Sequence, residues 1–260
     1  MKSRFRSITE TADTKADQDQ LAMAQLRHSL VAHLATGGDL LDVACGTAYA
    51  LPLIAARARS VTGCDRDPMN VADSRRALPE GSFSVADAEN LPFRANSYDV
   101  VACLEAIYYF RNWQAFVRDA GGLLRDGGTL VITWPNPARP AFSPSPSSTV
   151  YPDAGELVAI AERAGFDATC YGAFPLDDLV TARRPWLDAV RRVVIRLHLI
   201  PHSLRLRMFV KRVLYRRMRP LSEVTLIEQP FQHLVELGPD MSRRFAMLYF
   251  VGTRRARGDR

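Results

Sequence analysis

The stretch LLDVACGTAYA, residues 40–50, decides the fold. An apolar run carries an acid, Asp42, just before a turn of small residues, Ala44, Gly46 and Ala48. A strand that ends in a small-residue turn before a helix lets backbone approach a ligand closely. The turn lacks the glycines of a G-x-G-x-x-G dinucleotide fingerprint, and no lysine follows as in a phosphate-binding loop.

Outward from this turn, short apolar runs alternate with helical patterns. The runs are 40–44, 60–64, 82–86, 98–104 and 128–134, and the helical stretches lie near 48–57, 68–77 and 112–125. Fully apolar strands separated by helices predict a parallel sheet covered on both faces. A helix over 153–164, a strand over 167–174 and a last strand over 243–253 follow. Before the sheet, 17–36 reads as a helix stopped by Gly37-Gly38, with Leu21, Ala24, Leu30, Val31 and Leu34 on its apolar side. Residues 1–16 are polar, and are expected to be loose or folded over a site.

Composition narrows the class. Of 260 residues, 47% are hydrophobic and 24% charged, ordinary globular material. The uncharged apolar run 43–56 contains Gly46 and Pro52 and is too short to span a bilayer. The first twenty residues have no apolar core of a signal peptide, so a cytoplasmic location is expected. The four cysteines form no CxxC pair, which disfavours a zinc site or a disulfide scaffold, and no metal is expected. The net charge of +6 is unevenly spread. Residues 183–219 hold twelve Lys/Arg against one acid, Asp188; 22 basic and 27 acidic side chains remain elsewhere, a net of −5. One basic segment on a mildly acidic body points to a localised anionic partner.

Five ordered blocks resemble class I S-adenosylmethionine-dependent methyltransferases, in their small-molecule, type 11-like branch. Asp42-Val43-Ala44-Cys45-Gly46-Thr47-Ala48 follows D-x-G-C-G-T-G with alanine at two glycine positions. VTGCDRDP (61–68), VADAENLPF (85–93), SYDVVACLEAIYYF (97–110) and LLRDGGTLVIT (123–133) match further blocks, with Asp126 where the family has proline. The resemblance implies an α/β, doubly wound, mostly parallel seven-stranded Rossmann-like sheet with its last strand antiparallel. Residues 1–36 would form an arm and cap helix, 37–175 the cofactor-binding core, 176–242 a basic helical lid inserted between the last two strands, and 243–260 the final strand and tail.

The same resemblance implies S-adenosylmethionine as cofactor. Asp65 would accept both ribose hydroxyls, since an ionised carboxylate only accepts. Arg66 follows it. Asp87 and Ala88 would meet the adenine, and Asp42 the methionine amine. Ala44, Gly46 and Thr47 would form the turn against the cofactor, with Leu104 beside the methionine. Ala48 is expected to keep a negative φ or to shift the turn. Asp67 reads as a helix N-cap with Pro68 behind it, and Asp99 as structural.

Methyl transfer to oxygen needs alignment and a base. Glu105 and Tyr109 stand where the site must be, with Tyr108 beside them, and could equally be a cofactor ligand and pocket walls. His198 and His202 are further candidates against a solvated reading. The fourth strand ends in CLEA rather than N-P-P-[YF], so nucleic acid is a disfavoured substrate. A small-molecule acceptor is expected, either a hydroxyl of a sugar, glycolipid or lipid-like metabolite, or a polyketide or carrier-bound natural product. A cofactor-binding protein without transfer is the third reading. In the basic segment, Leu206, Phe209, Val210, Val213 and Leu214 share one helical arc bordered by Arg205, Arg207, Lys211, Arg212 and Arg216. Residues 186–218 thus read either as lid helices packed on the body or as helices meeting an anionic membrane surface, peripheral at the inner face.

Overall fold

The computed structural model describes residues 8–139, 142–179, 218–238 and 242–256. Among the described residues, fifteen strands and α-helices follow in chain order. They are β1 (Lys15–Ala16), α1 (Gln18–Leu34), β2 (Asp39–Val43), α2 (Leu51–Ala55), β3 (Ser60–Asp65), α3 (Pro68–Ala77), β4 (Ser82–Val85), β5 (Tyr98–Leu104), α4 (Trp113–Leu123), β6 (Leu124–Pro135), α5 (Ala154–Arg163), β7 (Phe166–Pro175), β8 (Arg219–Pro220), β9 (Val235–Glu236) and β10 (Phe245–Arg254).

The main sheet runs in the order β4-β3-β2-β5-β6-β10-β7-β9. The first five strands pair in parallel, and β10 lies antiparallel between β6 and β7. The seven expected strands are all present, with the last one antiparallel. The two-residue β9 adds an eighth on the edge of β7. Both faces of β2 are buried: Leu40 packs with α1, α2 and α3, and Leu41 and Val43 pack with α4 and α5. This is why LLDV shows no polar alternation.

Helix boundaries have local causes. Asp17 caps α1, its carboxylate accepting from Gln20 N while the Gln20 side chain answers the Asp17 N–H. Asp67 caps α3 with Pro68 at the first turn, as the sequence suggests. The helix expected over 48–57 is shorter, because Ala48 is in the left-handed region and Pro52 sits in the first turn. Asp99 Oδ2 accepts from Asp39 N at 2.7 Å and from Arg125 Nη1 at 2.7 Å, which ties strand beginnings at the end of the sheet away from the turn.

The order of strands creates the site. From β2 the chain winds outward to β3 and β4, then crosses back to β5 on the other side of β2. Ligands of open α/β sheets sit outside the carboxyl ends of the strands at such a reversal. Asp42 lies one residue from the end of β2, and Glu105 directly follows β5.

The arm does not hang free. β1 pairs with β8, and Leu221 N and Ser222 N donate to Thr14 O and Ala12 O. Ala16, Leu21, Ala24, Ala50, Leu221 and Val224 form a small apolar cluster between arm, α1 and this strap. The described parts of the 176–242 segment are extended chain and short 3-10 turns. The expected helices of residues 186–218 lie outside the described residues apart from Met218, as do His198 and His202.

Candidate functional site

A cavity of about 290 Å³ opens at the β2–β5 reversal. Its floor is the turn after β2. Ala44, Gly46 and Ala48 have φ of 60°, 57° and 54°. Of the two alternatives for Ala48, a negative φ is therefore excluded. Ala48 N bonds Cys45 O and Ala48 O accepts from Leu51 N, so the turn fixes the residue and alanine bears the strain. Left-handed φ costs an L-residue roughly 1–2 kcal/mol, least for a side chain this small. At Gly46 the need is also steric: a Cβ there would lie 3.0 Å from Thr9 Cγ2 on the arm.

Most of the residues expected to meet a cofactor line this cavity: Asp42, Ala44, Gly46, Asp65, Arg66, Asp87, Ala88 and Leu104. Glu105 and Tyr109 line it as well. Thr47 does not; it is buried, and its hydroxyl donates to Glu10 O at 2.9 Å, holding the arm rather than facing the space.

The three acids of the floor differ in their partners. Asp65 accepts from Gly46 N at 3.0 Å, Asp67 N at 2.8 Å and Asn70 Nδ2 at 3.2 Å. Burial raises its pKa and these donors pull it back. Asp42 is 6% exposed, and nothing among the described residues donates to it. Burial, with the Asp65 carboxylate beside it, pushes the Asp42 carboxyl up to about 7. Glu105 has φ +55°, and among the described residues accepts a 3.3 Å bond from Thr133 Oγ1. Burial pushes it up to about 7, against the pull of Arg27. A non-glycine residue held at positive φ beside a cavity is strain of the kind that marks functional positions. At the rim, Asp87 forms an ion pair with Arg66 at 3.8 Å and accepts from Glu89 N at 3.1 Å.

The opposite wall is aromatic. Tyr108 stacks on Tyr151 with ring centroids 4.6 Å apart, and Tyr109 meets Ser145 Oγ at 2.5 Å. Burial raises the Tyr109 phenol, which removes its advantage as a proton acceptor.

Sequence reasoning missed the helical wall. Arg27 is buried; its Nη2 donates to Tyr49 Oη at 2.9 Å and to Glu10 Oε2 of the arm. His28 lines the cavity, and its Nδ1 lies 2.7 Å from Ala24 O. A carbonyl only accepts, so Nδ1 carries the proton. Burial, then Arg27, lowers the imidazole to about 3, so His28 is neutral. A signal existed: Arg27 falls on the helical arc of Ala24 and Val31, a charge inside an apolar stripe. Among the described residues no three His, Cys, Asp or Glu gather as metal ligands.

Residues 41–132 match the family model of a methyltransferase domain. A Mycolicibacterium smegmatis protein named as a probable S-adenosylmethionine-dependent methyltransferase is 34% identical over 151 residues, 54% of this chain and 58% of that protein. The phthiotriol/phenolphthiotriol dimycocerosates methyltransferase of Mycobacterium leprae is 32% identical over 121 residues, 45% of each chain. The matches thus cover little more than half of the first relative and less than half of the second. In fold, the chain is similar to a chain of the complex between the Haloferax volcanii Trm112 methyltransferase activator and a methyltransferase. There the TM-score is 0.55 and the identity 18%, over 94% of this chain and 95% of the other.

Proposed function

From a core whose residues 41–132 carry a methyltransferase domain, we propose that this protein transfers a methyl group from S-adenosylmethionine to a hydroxyl of a small-molecule acceptor. The acceptor class is a sugar, glycolipid or lipid-like metabolite. The observation that carries the cofactor reading is Asp42. A buried carboxylate with no donor among the described residues, facing a cavity, fits a ligand that brings its own cationic donor. The methionine ammonium is such a donor. The other lining residues suit the rest of the molecule: Asp65 for the ribose hydroxyls, the Arg66–Asp87 pair and Ala88 for the adenine, Arg27 for the carboxylate, and Leu104 for the aliphatic chain.

When bound, S-adenosylmethionine supplies an electrophilic methyl group on a sulfonium. Glu105 takes the proton of the acceptor hydroxyl, because a carboxyl raised to about 7 is basic enough to accept it near neutral pH. Tyr108, Tyr109 and Ser145 hold the acceptor against the aromatic wall and exclude water. The lipid side of the acceptor reading is supported by the named substrates of the Mycobacterium leprae relative, and the basic segment 183–219 supports recruitment to an anionic membrane surface.

The test is a single-turnover assay with saturating cofactor on fractionated lipid and glycolipid extracts. Glu105→Gln should slow methyl incorporation by about 10²–10⁴-fold, the usual worth of a general base. Bound cofactor without turnover on any fraction would favour a cofactor-binding protein instead. Unchanged rates in Glu105→Gln would remove it as the base. Co-sedimentation with anionic vesicles tests the surface. Glutamine at Arg205, Arg207, Lys211, Arg212 and Arg216 should abolish it, and unaltered sedimentation would refute the membrane reading.

A further inference from the structure

We propose that Glu10 stands in for the carboxylate of the cofactor: it holds Arg27 and pins the arm over the cavity floor until the cofactor displaces it and frees the arm. The inference rests on the cofactor reading above and deepens it, since that reading gives Arg27 to the methionine carboxylate.

The structure shows a carboxylate site with a carboxylate in it. Arg27 Nη2 donates to Glu10 Oε2. The Tyr49 hydroxyl accepts from the same guanidinium at 2.9 Å and donates to the same Glu10 oxygen at 3.1 Å. All three residues line the cavity. A guanidinium and a phenol aimed at one oxygen hold any carboxylate brought to that point, in charge-assisted bonds.

Of the two ionic partners, only one can leave. The Arg27 side chain is 6% exposed and rises from the middle of α1, whereas Glu10 is 45% exposed on the arm. Glu10 returns to water at small cost, while a buried guanidinium left alone is costly. An arriving carboxylate therefore replaces Glu10 and leaves Arg27 where it is.

The other contacts of the arm fall on the same floor. Thr47 Oγ1 donates to Glu10 O at 2.9 Å. Asn70 Nδ2 donates to Thr9 Oγ1 at 3.1 Å and also serves Asp65 at 3.2 Å. Thr9 sits so close to the turn that a Cβ at Gly46 would lie 3.0 Å from its methyl group. A ligand laid along the turn after β2 meets Thr9 and Glu10 there. Behind them the chain turns at Thr11–Thr14, and Ala12 and Thr14 are tied to Ser222 and Leu221. Residues 8–10 are thus a short flap hinged on a held strap. Opening it costs the cofactor part of its affinity, the penalty for binding a state other than the resting one.

The test compares S-adenosylmethionine with decarboxylated S-adenosylmethionine, which keeps the sulfonium and the ammonium and lacks the carboxylate. Both are titrated calorimetrically into the whole protein. In the wild type one carboxylate replaces another, so the group adds little affinity. In Glu10→Gln the competitor is neutral, and the affinity ratio of S-adenosylmethionine to the decarboxylated probe should rise at least about fivefold. Attraction of Glu10 for the cations that both probes share cancels in this ratio. A ratio unchanged or lowered overturns the proposal. Hydrogen exchange on the wild type needs no variant: amides of residues 8–11 should exchange faster with S-adenosylmethionine bound, and not with the decarboxylated probe. Exchange unchanged or slowed by S-adenosylmethionine also overturns the proposal, because the arm would then be a cover that stays or tightens. Failure of both probes to bind would overturn the cofactor reading itself.

Discussion

Replacing Asp42 by asparagine should make the ligand-free protein more stable, and the gain should depend on pH. Asp42 is 6% exposed, and its carboxyl stands near 7 in the folded protein against 3.8 as the ordinary value. Below about pH 4 both folded and unfolded chains hold the proton, and the group costs nothing. Between 4 and 7 the unfolded chain releases it while the folded chain retains it, so stability falls as pH rises. Above 7 the loss is complete. Its ceiling is about 4 kcal/mol, from about 1.4 kcal/mol for each tenfold difference in proton affinity. Relaxation around a charged carboxylate reduces this, and about 2 kcal/mol is the expected gain at pH 8 for an amide that never ionises. For a chain of this size that is roughly a 4–8 °C rise in melting temperature. The gain should shrink to about a quarter of that at pH 4.5, where the unfolded chain has released the proton but little of the span to 7 has been crossed. Scanning calorimetry of wild type and Asp42→Asn at the two pH values provides the assay. A variant no more stable than wild type at pH 8, or equally stabilised at both, would refute the reasoning. With cofactor present the order should reverse, since only the wild type offers an anionic partner to the ligand.

Ala48→Gly should stabilise by up to about 0.5–1 kcal/mol, strain relief less the entropy of glycine, while Ala48→Val at φ 54° should cost about 1–3 kcal/mol; urea unfolding separates the two signs. Glu10→Ala should destabilise by about 1–2 kcal/mol, because it removes the ion-pair partner of the buried Arg27 charge; a double-mutant cycle with Arg27→Met should return a positive coupling, and a coupling near zero would mean the arm is not held by this pair.

The sheet was legible because parallel strands buried on both faces announce themselves as mostly apolar runs, and 40–43, 60–64 and 98–104 are such runs. The strand order followed from the resemblance, and the long insertion before β10 is consistent with its return between β6 and β7. The acids of the floor were legible too, since Asp42, Asp65 and Glu105 each lie within one residue of a strand's carboxyl end. What escaped was anything joined across long sequence distance. Glu10 meets Arg27 and Tyr49 only once the arm folds back, and β1 meets β8 across some two hundred residues. Thr47 was read toward the ligand because its turn faces it, but the arm's carbonyl takes its hydroxyl. The alanine turn was misjudged for a different reason: local steric preference is worth about 1 kcal/mol, and a hydrogen-bonded turn at a packed strand end outweighs it.

The central claim is that the cavity at the β2–β5 reversal is the S-adenosylmethionine site, with Asp65 as its ribose anchor. Calorimetric titration of wild type and Asp65→Ala with S-adenosylmethionine tests it directly. A hydrogen bond to a charged group contributes about 1.5–3 kcal/mol, so the variant should bind roughly 10- to 150-fold more weakly, with the wild type indifferent to NADH. Unchanged affinity in Asp65→Ala, or tight binding of NADH by the wild type, would contradict it.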